Sequence, residues 1–196
     1  MSPRPSLAGP PEDLSGFPAH QLVPGQVLAR IHRADRKSGF YSSDGSGRFD
    51  LPLPQGTCYL GEEPLASFVE VFREAAVVAE TLVNAKVLSL VQLPGDLRLA
   101  DVTAPKSRRF GVTGEIHTST AYGITQAWAA ALHRAGFDGI RYLVRHDPSQ
   151  RLTGVALFGP GGAHEDQFLT VKTVAVPTPL VTAAETRFGI VILPTP

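Results

Sequence analysis

The stretch TCYLGEEPLASFVEVFRE, residues 57–74, carries the clearest pattern for the fold. Its first four residues predict a strand, and Gly61 then permits a turn. Two acidic residues and Pro64 follow, which is typical of the first turn of a helix. The apolar residues after Pro64 recur at helical spacing, so the pattern predicts an amphipathic helix that continues to about Val83.

Glu70 lies inside this predicted helix but away from its apolar stripe. With Leu65 as the reference, Phe68 falls on the stripe, whereas Glu70 falls at about 140°. A glutamate at such a position is most often a solvated surface charge. However, its neighbours Ala66 and Ser67 are small and would leave room for a ligand beside the carboxylate. The pattern leaves both interpretations open.

Composition limits the class of protein. The chain has 196 residues, 43% hydrophobic and 18% charged, which fits one packed domain. The formal charge is zero, so neither nucleic acid nor an anionic membrane is expected as the main partner. We expect no secretory signal and no transmembrane segment. Cys58 is the only cysteine, which fits a reducing compartment, and we predict a cytoplasmic protein.

The order of patterns predicts an α/β (α+β) domain with a mixed sheet of roughly six to eight strands and two principal helices. Residues 1–25 are rich in proline and are interpreted as an arm over the domain, residues 26–160 as the domain itself, and residues 161–196 as a β-rich extension packed on it. The second helix contains Ile124 and Leu132 and ends at Gly136. The predicted strands include QVLARIH, KVLSLVQL, FDGIRYLV and TGVALFG.

Other kinds of site have weak support. The six histidines show no metal-binding spacing, and one cysteine cannot build a zinc cluster, so no metal is expected. The glycine-rich segment GPGGAH, residues 159–164, lacks the lysine and hydroxyl residue of a phosphate-binding loop. The basic segment KSRRF, residues 106–110, is most simply a solvated surface. The loop DRKSGFYSSDGSGRFD, residues 35–50, is long enough to be a lid or a binding loop.

Six segments in order resemble the RES domain, a family named for characteristic Arg, Glu and Ser residues. The similarity runs from about Val27 to Gly159, and the arm and the C-terminal tail lie outside it. The segments are LARIH with Arg30, GRFD with Arg48, CYLGEEP with Tyr59, SFVEVF with Glu70, TQAWAAALHRAGFDGIRY, and HDPSQRLTGVALFG with Ser149.

The resemblance implies an ADP-ribosyltransferase-like fold that binds NAD and breaks its nicotinamide–ribose bond. Members are commonly toxins of toxin–antitoxin pairs, so it implies an Xre-type antitoxin as partner, with NAD as substrate, inorganic phosphate as co-substrate and no metal. Two alternatives stay open: transfer of ADP-ribose to a protein or metabolite, and a non-catalytic nucleotide- or partner-binding module. The sequence leaves homo-oligomerisation undecided.

The resemblance also implies roles for five residues, which suit their chemistry. Arg30 and Arg48 would bind the pyrophosphate through charge-assisted hydrogen bonds. Tyr59 would stack on the nicotinamide ring, with its hydroxyl orienting an amide or a ribose. Glu70 would stabilise the positive charge that develops on the ribose, and Ser149 would donate to the ribose or a phosphate. The implied catalytic residues are Glu70, Arg30 and Ser149.

Overall fold

Eight strands form one mixed sheet in the computed structural model, which describes residues 6–72, 76–164 and 167–194. In chain order the strands are β1 (Ala19–Leu22), β2 (Val27–Arg33), β3 (Phe40–Tyr41), β4 (Gln55–Gly61), β5 (Val77–Ala79), β6 (Lys86–Gln92), β7 (Leu97–Asp101), β8 (Gly139–Leu143), β9 (Thr153–Pro160), β10 (Gly162–Ala163), β11 (Leu169–Ala175) and β12 (Val191–Leu193). The helices are α1 (Pro64–Phe72), α2 (Glu80–Asn84), α3 (Glu115–Thr118), α4 (Tyr122–Arg134) and α5 (Thr178–Phe188), with a 3₁₀ helix at Pro105–Phe110.

The main sheet has the order β1-β7-β8-β9-β4-β2-β6-β11, and only the β7–β8 pair in it is parallel. It is nearly divided between β2 and β4. Strand β4 pairs with β9 along its whole length, and β2 does the same with β6. Between β2 and β4, however, the one pair in register is Ala29 with Gly61. Beyond this joint the two halves of the sheet separate and leave a cleft.

Helices α1 and α4 pack on the same face of the sheet, each over one half of it. Around α4 the core includes residues from the N-terminal arm, namely Leu7, Leu14 and Phe17. The arm is also fixed by a hydrogen bond of 2.8 Å from Trp128 Nε1 to the Ala8 carbonyl. Around α1 the core is completed by residues of the C-terminal segment, including Ala184 and Ile190. The N-terminal arm from Leu7 onwards and the C-terminal segment as far as Ile190 therefore contribute to the core.

The structure confirms the fold class and the second helix, but the first helix is shorter than predicted. Helix α1 ends at Phe72, and the next described residues form β5 and α2 rather than further turns of α1. Strand β5 contains the β-branched pair Val77 and Val78, which favours extended backbone, and it pairs in parallel with β12. Local apolar spacing could not reveal this distant pairing.

The C-terminal segment also differs from the predicted β-rich extension. Strand β11 pairs with β6 at the edge of the sheet, but the chain then forms α5. Pro177 lies at the N-cap and a further proline occupies the first turn of α5, while Gly189 ends the helix in the left-handed conformation. The prolines that we interpreted as signs of edge strands instead mark the start of a helix. Within the described residues, no helix is long and apolar enough to cross a membrane.

Candidate active site

Helix α1 places Glu70 beside the cleft. The helix buries Leu65, Phe68, Val69 and Phe72 against the sheet, so Glu70 lies on its flank and is half-buried. Where β2 leaves β4, the Ile31 amide donates instead to Ser67 Oγ at 2.7 Å, which ties the helix to the strand. Gly61 allows the close approach of α1, because a Cβ there would meet Glu63 O and Ser67 N at 2.7 Å. The carboxylate of Glu70 is thus held by rigid elements.

Two cavities meet at Glu70. The larger, of about 230 Å³, is lined by Ser42, Ser46, Gly47, Arg48, Phe49, Asp50, Tyr59, Glu70, Val71 and Tyr142. The smaller, of about 200 Å³, is lined by Arg30, Ile31, Tyr59, Leu60, Ser67, Glu70, Val71 and Tyr142. Both share Tyr59, Glu70, Val71 and Tyr142. Four of the five residues that the resemblance implies, Arg30, Arg48, Tyr59 and Glu70, therefore line one continuous region.

The hydroxyl of Tyr59 holds the loop that carries Arg48. It accepts a hydrogen bond from the Phe49 amide at 2.9 Å and donates to Asp50 Oδ1 at 2.8 Å. The other oxygen of Asp50 accepts from the Gly47 amide at 2.9 Å. Burial raises the pKa of the Asp50 carboxyl and, more strongly, that of the Tyr59 hydroxyl, which keeps the phenol as a donor. The predicted use of this hydroxyl on an amide or ribose is not supported, because the loop already occupies it.

Arg48 is an unusual cation because it is only 5% exposed. Its carbonyl accepts a hydrogen bond of 2.6 Å from Thr125 Oγ1 on α4, which fixes the backbone. Its guanidinium carbon lies 6.0 Å from the centre of the Phe49 ring. Among the described residues, its buried Nε has no hydrogen-bond partner. Since a buried cation is costly unless it is paired, this arrangement is expected where a ligand supplies the anion.

Arg30 approaches the region from the opposite face of the sheet. Its Nη1 donates to the Ser38 carbonyl and lies 2.9 Å from Cys58 Sγ, a buried thiol whose pKa is raised by burial. Because side chains alternate along a strand, Cys58 and Tyr59 face opposite sides of β4. Arg30 therefore lines the smaller cavity from the side away from Glu70's helix.

The structure places Ser149 outside both cavities. It is exposed, and its hydroxyl donates to Asp147 Oδ1 at 2.6 Å within its own turn. Asp147 also accepts from the amides of Ser149, Arg151 and Leu152, which is the chemistry of a turn. The catalytic role of Ser149 stays a prediction.

Sequence reasoning missed Asp50 and Tyr142 as residues of the site. Asp50 lies two residues after Arg48 in the segment GRFD, so the sequence could indicate that it is close to the site. No local pattern indicated that the Tyr59 hydroxyl would donate a hydrogen bond to it. Tyr142 is 2% exposed, lies in a predicted strand and packs its ring 5.2 Å from that of Phe49. Alternation along β8 indicated one face for Tyr142 but could not show that this face meets the cleft.

His117, on α3, is buried close to this region. Burial and then the positive charge of Arg48 lower its pKa from 6.5 to about 4. Its Nδ1 accepts a hydrogen bond from the Leu143 amide at 3.3 Å, which requires that this nitrogen carry no proton. The imidazole is therefore neutral in the folded protein at neutral pH.

We expect His117 to make the folding stability depend on pH. The unfolded chain gains a proton below pH 6.5, whereas the folded protein does so only near pH 4. The free energy of unfolding therefore falls by at most about 3 kcal/mol as the pH decreases through this interval, and the contribution is fully present above it. Urea unfolding of the wild type and His117→Asn across this range measures the effect. Parallel curves for the two proteins would contradict it.

Comparison with known proteins agrees with the fold. The chain combines a nearly divided mixed sheet with a carboxylate on a flanking helix and a buried arginine. The RES domain model matches residues 27–178, so the chain belongs to the RES domain family. The MbcT–MbcA toxin–antitoxin complex of M. tuberculosis contains a chain with the same fold, at a TM-score of 0.65 and 19% identity, covering 84% of this chain and 91% of that one. No curated protein matches the sequence.

In the part of the chain that the structure describes, no three His, Cys, Asp or Glu side chains come together as a metal site. The groups that line the larger cavity include the guanidinium of Arg48, the carboxylate of Glu70 and the rings of Tyr59 and Tyr142. This set suits an organic cation next to a phosphate.

Proposed function

We propose that the protein is an enzyme that consumes NAD by cleaving the bond between nicotinamide and ribose, and that it is the toxin of a toxin–antitoxin pair. Membership of the RES domain family supports NAD as the substrate. The observation that carries the proposal is the juxtaposition of Glu70 and the buried Arg48 around one cavity. The fold shared with a toxin found in complex with its antitoxin supports an antitoxin partner, which we propose to be of the Xre type.

In the proposed reaction, the bond between ribose C1 and the nicotinamide nitrogen breaks, and its electron pair leaves with neutral nicotinamide. Positive charge develops on C1 and the ring oxygen, so a fixed carboxylate is favoured most in the transition state. Glu70 supplies this carboxylate from the flank of α1. The flat rings of Tyr59 and Tyr142, which line the same cavity, are suited to pack against the departing nicotinamide.

The acceptor completes the reaction by forming a new bond from its oxygen to C1. We propose inorganic phosphate as the first acceptor and water as the second. An anionic acceptor beside Glu70 and Asp50 would be repelled unless a cation offsets their charge, and Arg48 lies in the same cavity. A guanidinium also matches the geometry of phosphate oxygens. With phosphate, the products are nicotinamide and ADP-ribose 1″-phosphate.

A direct assay tests this function. The purified protein is incubated with NAD, with and without inorganic phosphate, and the products are followed by mass. We expect nicotinamide in both reactions and ADP-ribose 1″-phosphate only with phosphate. Free ADP-ribose in both would identify water as the acceptor, and mass added to a macromolecule would identify a transferase. Intact NAD in every reaction would overturn the proposal.

A further inference from the structure

A second concave surface lies on the face of the sheet opposite α1. We call it the basic groove. It has a volume of about 490 Å³ and is lined by His32, Ala34, Arg36, Lys37, Ser38, Val87, Ser89, Thr170 and Thr173. None of these lining residues is acidic. Three carry basic groups and four carry hydroxyls, which is a lining suited to phosphate and ribose oxygens.

The floor of the basic groove is ordered. His32 Nε2 lies 2.8 Å from Ser89 Oγ, which in turn lies 2.8 Å from Thr173 Oγ1. These residues come from β2, β6 and β11, and Ser89 is paired in register with Thr173 on one side and Arg30 on the other. Ser89 is 1% exposed and forms the floor of the groove, whereas Thr173 lies on the edge strand and is exposed.

Arg36 contributes a positive charge to the basic groove. The neighbouring carboxylate, Asp35, forms its ion pair with Arg33, at 2.5 Å, and not with Arg36. The guanidinium of Arg36 instead lies 4.7 Å from the centre of the Phe40 ring. A planar guanidinium supported in this way can stack on a base or bind a phosphate.

Arg30 connects the basic groove with the proposed active site. It lines the smaller cavity together with Glu70, and its Nη1 donates to the carbonyl of Ser38, which lines the groove. The two cavities that meet at Glu70, of about 230 and 200 Å³, form a region at the small end of the roughly 300 to 1,000 Å³ that is usual for ligand sites. With the nicotinamide half of NAD in the cavity that Arg48 lines, the rest of the dinucleotide extends past Arg30, towards the basic groove.

We infer that the basic groove binds the adenosine monophosphate half of NAD, with Arg30 at the pyrophosphate between the two halves. This inference rests on the proposed function, because it assigns the remainder of the same substrate. The hydroxyl row faces the ribose and phosphate oxygens, and Arg36 faces the base or the phosphate. The groove then determines how well the enzyme distinguishes a dinucleotide from a mononucleotide.

The test compares NAD with nicotinamide mononucleotide, which contains the same scissile bond but no adenosine monophosphate. Arg36→Gln is expected to raise KM for NAD about tenfold, the loss of one charge-assisted contact, and to leave KM for the mononucleotide unchanged. Arg108→Gln, an exposed arginine of the 3₁₀ helix, is the matched control and should change neither. Equal effects of Arg36→Gln on both substrates, or no effect on either, would overturn the inference.

A binding measurement separates this inference from the proposed function. Adenosine monophosphate is titrated into the isotope-labelled protein, and amide shifts are followed by NMR. We expect shifts at Ser89 and Thr173, whether or not the protein turns over any nucleotide. Absence of turnover with these shifts would reject the proposed reaction and keep the groove. Shifts confined to the residues around Glu70, or equal shifts with inorganic phosphate alone, would overturn the groove as an adenylate site.

Discussion

Glu70→Gln is expected to lower the rate of NAD consumption by about a thousandfold, which is the usual cost of removing one preorganised electrostatic group. The amide keeps the shape of the side chain but removes the negative charge that faces the developing cation on ribose. Because the charge acts mainly in the transition state, the loss should fall on kcat and much less on KM. Helix α1 buries its core through other residues, so the fold should be unchanged.

The matched control is Glu185→Gln, which makes the same change at an exposed position of α5. Both variants are compared with the wild type by thermal unfolding and by the rate of nicotinamide release. We expect equal melting temperatures for all three proteins and loss of activity in Glu70→Gln alone. Normal turnover by a folded Glu70→Gln variant would show that the carboxylate is not the catalytic group.

Arg48→Met is expected to have opposite effects on stability and on function. A buried guanidinium with an unpartnered Nε destabilises the ligand-free protein, and methionine has a similar length without a charge. We expect the free energy of unfolding to rise by about 1 kcal/mol. The same change removes the cation that faces the phosphate, so kcat/KM for NAD should fall at least about a hundredfold.

Urea unfolding and steady-state kinetics measure these two effects, with Arg108→Met as the exposed control. The pKa of His117 is an independent measure of the positive charge of Arg48, because that charge lowers it. In Arg48→Met the pKa of His117, followed by NMR, should rise from about 4 towards its usual value but stay below it, since burial remains. A variant that loses stability, or a His117 pKa that does not move, would contradict our description of Arg48 as a buried, unsatisfied cation.

Patterns that depend on neighbouring residues were predictable from the sequence. The apolar stripe of α1 and the position of Glu70 off that stripe follow from helical periodicity alone, and the structure confirms both. Helix α4 was equally clear, because apolar spacing and Gly136 determine it locally. The order of short motifs indicated the RES family, although no single motif was specific enough.

Features that depend on distant residues were not predictable. The burial of Arg48 results from α4 packing over a glycine-rich loop, and a residue type alone does not indicate this. The hydroxyl of Tyr59 is occupied by Asp50, a contact between a strand and a loop whose path is not encoded locally. Ser149 was assigned through its motif; whether such a turn lines a cavity depends on residues far along the chain, and the structure places Ser149 outside both cavities. Helix α5 was missed because proline at the start of a helix resembles proline at the edge of a sheet.

The buried residues at the two ends of the chain have a practical consequence. The family match spans residues 27–178, yet the core around α4 includes Leu7, Leu14 and Phe17, and the core around α1 includes Ala184 and Ile190. The unit recognised by homology is therefore smaller than the unit that folds. A gene fragment cut at the family boundaries would encode every residue proposed for catalysis and still leave both helices of the site without part of their support.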